Sequence, residues 1–183
     1  MIDLIYITGR GGCLEKGLAP QLKSIADTFD GIAVDLQFLR QPPLTQVEQI
    51  QSKIAENSDR IVVANSYGAY LTLQALIDLK VTPKKVLLLS PVLGIAQAKD
   101  RMYMSRPPLT GRLKEAFESR SLAKPETFKV LMGNQDELYN KEQIDLIDDY
   151  FGVGSALILN EETHMLSHTA VKAFIEKYVL NGA

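Results

Sequence analysis

Ile61-Val62-Val63-Ala64-Asn65-Ser66-Tyr67-Gly68-Ala69-Tyr70-Leu71-Thr72-Leu73 is the stretch whose reading decides the fold. Its first part is a continuous apolar, β-branched run, as expected of a strand covered on both faces. Its last part is helix-forming. Between them stands Ser66, with the small residues Ala64 two before it and Gly68 two after it. A turn this sharp between strand and helix forces the serine into strained backbone geometry, and bulky neighbours there would collide with the adjacent strand or helix. It also exposes Oγ at a helix N-terminus, where backbone N–H groups and the helix dipole favour negative charge. Ser66 is therefore a candidate nucleophile. Taken alone, the same pattern also suits a serine that caps a helix.

Working outward, five further strand-sized runs appear at 2–8, 31–36, 85–90, 128–132 and 156–160, with the quoted strand spanning 60–65. Most are separated by helical spacing. Leu18, Leu22, Ile25, Ala26 and Phe29 form one face, and Val47, Ile50 and Ile54 another. Leu71, Ala75, Leu76 and Leu79 form a third, Ile144, Ile147 and Phe151 a fourth, and Val171, Phe174, Ile175 and Tyr178 a fifth. Alternation of this kind implies parallel strands joined by right-handed crossovers, hence an α/β fold with helices on both faces of the sheet. Residues 94–127 break the rhythm. They are too long for a simple crossover and carry Pro107-Pro108 and an amphipathic piece at 113–117, so a lid-like insertion is expected there.

A nucleophilic serine needs a base, and the base needs a carboxylate to orient it. The chain has two histidines, His164 and His168. His164 follows the last strand, and His168 lies at the start of the final helix. Asp136 follows the fifth strand in Gly133-Asn134-Gln135-Asp136-Glu137-Leu138. Ser66, Asp136 and His164 thus each stand just past a strand's C-terminal end. Parallel strands bring those ends to one rim, where open α/β sheets bind ligands. Read singly, Asp136 also suits a turn and His164 a solvated loop; His168 is the reserve base.

The pentapeptide at 64–68 resembles the nucleophile elbow of the α/β-hydrolase superfamily, with Ala64 in place of the usual first glycine. Gly133-x-x-Asp136 looks like that superfamily's acid-bearing loop, His164 like its base, and the Ser66–Asp136–His164 order is its order. The resemblance covers essentially the whole chain and is nearest to minimal members that lack two leading strands. It implies a single domain over 1–183: a three-layer α/β/α sandwich with a six-stranded parallel sheet in the order 2-1-3-4-5-6. It also implies a serine hydrolase, carboxylesterase-like, that cleaves an ester or thioester of a small molecule through an acyl-enzyme. An oxyanion hole needs two N–H donors. By the same resemblance they are Tyr67 and, in the loop Thr8-Gly9-Arg10-Gly11-Gly12, Arg10, with Gly11 as the alternative. Thr8 stands where the superfamily usually has histidine. The Arg10 side chain, Gly11, Met102 and Tyr103 are candidate substrate contacts.

The bulk numbers fit this reading. The chain has 183 residues, a net charge of −2 and one cysteine. That length can bury a core without disulfides or metals, and the charge gives no support to a nucleic-acid partner. Cys13 is expected to be a small buried residue. No Cys/His cluster suits zinc, and the proposed chemistry calls for neither metal nor organic cofactor. No run is long enough to span a bilayer, and no basic stretch precedes an apolar run of signal-peptide length, so the cytoplasm is the expected location. Two rivals compete. Gly9-x-Gly11 after a strand, with Asp35 further on, suggests a dinucleotide-binding oxidoreductase, but Leu14 occupies the fingerprint's last glycine position. Alternatively the fold serves as a non-catalytic binding protein, for which Ala64 and Thr8 would be signs of an eroded site.

Overall fold

The computed structural model describes residues 1–93 and 107–181. Strands β1 (Asp3–Ile7), β2 (Thr28–Ile32), β3 (Ile61–Asn65), β4 (Lys85–Leu89), β5 (Thr127–Gly133) and β6 (Ala156–Leu159) form one sheet in the order β2-β1-β3-β4-β5-β6. Every neighbouring pair is parallel. The helices are α1 (Leu18–Ile25), α2 (Leu36–Leu39), α3 (Pro43–Ile54), α4 (Ser66–Ala75), α5 (Thr110–Ser119), α6 (Lys141–Phe151) and α7 (His168–Ile175), the last continuing as a π-helical turn over Glu176–Leu180.

The two faces of the sheet are read directly from the period-two alternation of its strands. Leu4 and Tyr6 of β1, Ile61 and Val63 of β3, and Leu87 and Leu89 of β4 point to one side, where they pack with Ala19 and Leu22 of α1 and Phe174 and Ile175 of α7. Ile5, Ile7, Val62, Ala64, Val86 and Leu88 point to the other, against Val47 and Ile50 of α3, the apolar residues of α4, Leu113 and Phe117 of α5, and Ile144 and Ile147 of α6. The sandwich is therefore three layers deep, with the order that the sequence resemblance implied. That order is not the one used by doubly wound dinucleotide-binding sheets.

Two elements lie elsewhere than the sequence pattern suggested. The run at 31–36 is not the second strand; β2 begins three residues earlier, and Leu36 opens α2. Val34 is fully buried, but it lies beyond the ladder, its N–H bonded to Thr8 Oγ1 at 2.8 Å. As an edge strand β2 is only partly buried, so its own residues, Thr28 and Asp30 among them, carry little apolar signal. Correspondingly, Phe29 belongs to β2, since α1 stops at Ile25. The third apolar face also runs past its helix: α4 ends at Ala75, and Leu79 lies outside it.

Of the expected insertion at 94–127, residues 94–106 lie outside the described residues, and with them Met102, Tyr103, Arg101 and Arg106. The rest includes α5, a crossover helix packed on the core, with Phe117 edge-on to Tyr150 of α6 at a centroid distance of 5.4 Å. No helix among the described residues is long and apolar enough to cross a membrane.

Candidate active site

The β3–α4 junction sets the geometry. All ten residues of α4 are buried, because the helix runs under the middle of the sheet and packs on α3, β1, β3 and β4. To enter it directly from β3, the chain must reverse at Ser66, whose φ is 51°. For a residue with a Cβ this left-handed conformation costs on the order of 1–3 kcal/mol and persists only where the surroundings impose it. Gly68 shows what imposes it here: a Cβ built on this residue would overlap the carbonyl oxygen of Thr8 at the end of β1. Close approach of α4 to β1 thus requires glycine two residues after the serine. Two residues before it, Ala64 is fully buried and fits without strain.

Ser66 Oγ lies 2.9 Å from His164 Nε2, and His164 Nδ1 lies 2.9 Å from Asp136 Oδ2. His164 Nδ1–H donates to the Asp136 carboxylate, which leaves Nε2 free of hydrogen and able to accept the serine O–H. Its other oxygen, Oδ1, accepts the N–H of Leu138 at 2.8 Å, so the side chain, fully buried, cannot swing away. The ring of His164 is mostly buried, and that burial, the largest single influence, favours the neutral form. The hydrogen bond and charge of Asp136, with a further contribution from Glu137, outweigh it and hold the imidazole above its ordinary value.

The loops that carry Asp136 and His164 are stitched together. Gln135 N–H donates to Glu162 O at 3.0 Å, Asn134 N–H to Leu159 O at 2.9 Å, and Glu161 N–H to Asn134 Oδ1 at 3.0 Å. A Cβ on Gly133 would overlap the Glu162 carbonyl, so glycine is what lets the β5 and β6 loops touch. Beyond His164, the Glu162 carboxylate accepts from Ser167 N–H at 2.8 Å and from its hydroxyl. These bonds hold the Glu162 carboxyl below the usual range and brace the base loop at the start of α7.

The β1–α1 loop lies on the other side of Ser66. A Cβ on Gly9 would sit 3.3 Å from Ser66 Cβ. Thr8, in the position of the histidine usual in the resembled superfamily, accepts from Val34 N–H and donates from Oγ1 to Gly9 O at 3.0 Å, so it ties the loop in place. The N–H of Gly11 donates to Val34 O at 2.7 Å and that of Gly12 to Gly9 O at 2.9 Å. Gly11 N–H is thereby committed to Val34. Tyr67 stands in the first turn of α4, where N–H groups have no acceptor within the helix. The Arg10 guanidinium lies over the Tyr67 ring, 6.0 Å from its centroid.

The remaining candidates fall away from the chemistry. His168 is exposed at the start of α7, its Nε2 paired with Gln21 Nε2 at 3.1 Å. Cys13 is exposed, contrary to expectation, because the loop before α1 runs over the surface. Arg112 reaches inward: its guanidinium bonds the backbone and side-chain oxygens of Gln74 at 2.9 and 3.0 Å, and Gln74 in turn bonds Tyr70 Oη and Leu109 O. This network, in which burial pushes the Tyr70 hydroxyl up to about 12, fastens α5 to α4, the helix that begins at Ser66. Among the described residues no group of three or more His, Cys, Asp or Glu is placed to hold a metal ion. Sequence reading named Thr8 and Gly9 but not the loop tie made by Thr8 or the contact of Gly9 with Ser66, and it passed over the Leu138 N–H and the Glu162–Ser167 brace. The Thr8-Gly9 and Gly133 glycines were the available signal, since a glycine next to a candidate site residue marks close backbone approach.

No protein-family profile matches the sequence, and no curated protein matches it. Solved structures do resemble the fold. Est1E from Butyrivibrio proteoclasticus is similar over 99% of this chain and 88% of its own, with a TM-score of 0.66 and 14% identity. Methylesterase MES16 from Arabidopsis is similar over 99% and 100%, with a TM-score of 0.58 and 15% identity. Thermogutta terrifontis esterase 2, phosphonylated by cyclosarin, is similar over 99% and 83%, with a TM-score of 0.62 and 12% identity. The chain has the α/β-hydrolase fold, in a minimal six-stranded form.

Proposed function

We propose that this chain is a serine hydrolase that cleaves the ester or thioester of a small molecule through an acyl-enzyme on Ser66. The observation that carries this reading is the hydrogen-bonded series Ser66–His164–Asp136, set on three separate loops and ending at a serine held in left-handed backbone. A helix-capping serine, a turn aspartate and a loop histidine have no reason to meet in this way. The esterases that share the fold are consistent with the reading, and the phosphonylated one suggests the probe used below.

In the proposed reaction the Ser66 hydroxyl passes its proton to His164 Nε2 as Oγ bonds to the substrate carbonyl carbon. Asp136 stabilises the imidazolium that forms, and the Tyr67 and Arg10 N–H groups stabilise the oxyanion. The carbonyl carbon then loses its alcohol or thiol, which takes the proton from His164. Water attacks the acyl-enzyme and gives a proton to the same nitrogen. The carboxylic acid departs, and Ser66 Oγ recovers its proton from the ring. In this reading the residues supply nucleophile, base and oxyanion donors, the three parts that acyl transfer calls for.

Turnover of an activated ester such as 4-nitrophenyl acetate, measured for wild type and Ser66→Ala, tests the proposal. Removing one hydroxyl should leave the fold unchanged, and a lost nucleophile is expected to cost several orders of magnitude in kcat. Equal turnover by a folded Ser66→Ala variant would refute it.

A further inference from the structure

Beside His164 a cleft of about 570 Å³ opens between the β1–α1 loop and the β6–α7 loop. Gly9, Asn65 and His164, all next to Ser66, are among its lining residues, together with Tyr6 and Leu89 of the sheet. Besides His164 and His168, the basic side chains Arg10 and Lys16 line it, and among the described residues no aspartate or glutamate does. The chain as a whole has more acidic than basic residues, 22 against 20, so the described lining of this cleft is opposite in sign to the net charge. Glu15 adjoins Lys16 in sequence but does not line the cleft.

Position along the reaction decides what the cleft would hold. The departing alcohol or thiol takes its proton from His164 Nε2, so the leaving group must lie against that ring. The cleft begins there and has the size of a small-molecule site. The Arg10 guanidinium, over the Tyr67 ring, is already on the nucleophile's side of the wall. Resting on the hydrolase reading above, we infer that the cleft receives the leaving group and that this group carries a negative charge, a carboxylate or phosphate, facing Arg10 and Lys16.

The test compares 4-acetoxybenzoate with 4-acetoxybenzamide, two acetyl esters of similar shape whose leaving groups differ in charge. The wild type is expected to favour the anionic ester by about five- to twenty-fold in kcat/KM at low salt, a preference that shrinks at high salt because partly exposed charges are screened. Lys16→Glu should lower the ratio of anionic to neutral kcat/KM at least about five-fold, Arg10→Gln should lower it less, and Lys16→Arg should preserve it. Ser66-dependent turnover of both esters with equal efficiency would overturn the charge assignment while leaving the hydrolase reading intact. Turnover of neither ester, by a protein folded according to its circular dichroism, would overturn both.

Discussion

The three site residues differ in how much of their environment their own neighbours disclose. Ser66 was legible because its constraint is local: a strand, a small residue on each side and a helix all lie within a few positions. Asp136 and His164 were legible only as loop residues past strand ends, because what makes them a pair is the contact between their loops, through Gly133, Gln135 and Glu162. Cys13 shows the limit, since its exposure depends on how the β1–α1 loop crosses the surface. The balance of forces on His164 makes a prediction about pH. In the proposed reaction the neutral ring is the base, and its affinity for a proton is raised, so activity should be lost as pH falls through a value above the ordinary histidine value of about 6.5. Asp136→Asn removes most of the upward influence. Burial, the largest influence, then pulls the ring below its ordinary value, and the acid limb of the kcat/KM profile should shift down while its plateau falls by roughly 10²–10⁴-fold. A downward shift of the His164 ring signals in an NMR titration would check the same point without relying on turnover. An unshifted limb would mean that Asp136 does not govern the base.

At the scale of elements, the central strands and their helices were readable and the margins were not. β1, β3, β4 and β5 are buried on both faces, so their apolar runs coincide with their ladders. β2 is an edge, and its place was taken in the pattern by residues whose burial comes from plugging the β1–α1 loop rather than from pairing. The register of α4 against β1 rests on Gly68. Gly68→Ala must push the helix off Thr8, and overpacking of this kind costs about 1–3 kcal/mol, which chemical denaturation would measure. Gly133→Ala acts at the other contact. It should displace the His164 loop and lower kcat/KM by on the order of 10²-fold, because displacements of about 1 Å in a positioned group have effects of that size. Arg112 of α5 is bonded to the backbone and side-chain oxygens of Gln74 in α4. Arg112→Ala is therefore expected to destabilise the protein by about 1–3 kcal/mol through the buried oxygens it leaves unpaired, a loss visible in the same denaturation experiment.

Over the whole molecule, a parallel sheet with its strands in the order β2-β1-β3-β4-β5-β6 is what turns separate loops into one site. Every β-strand points the same way, so the segments after β1, β3, β5 and β6 emerge on a single rim, and residues as far apart in sequence as Ser66 and His164 come within 2.9 Å. The alternation of strands and helices disclosed that rim before any coordinates did. It could not disclose the cleft at 10–21 and 164–171, which forms only where two loops distant in sequence face each other. The central claim is that this rim activates Ser66 as a nucleophile, and the most direct test is covalent capture. The protein is treated with a fluorophosphonate, digested and mapped by mass spectrometry, alongside Ser66→Ala and His164→Ala. The account predicts one adduct, on Ser66, absent in Ser66→Ala and formed far more slowly in His164→Ala. A folded wild-type protein that takes up no probe, or takes it up at another residue, would contradict it.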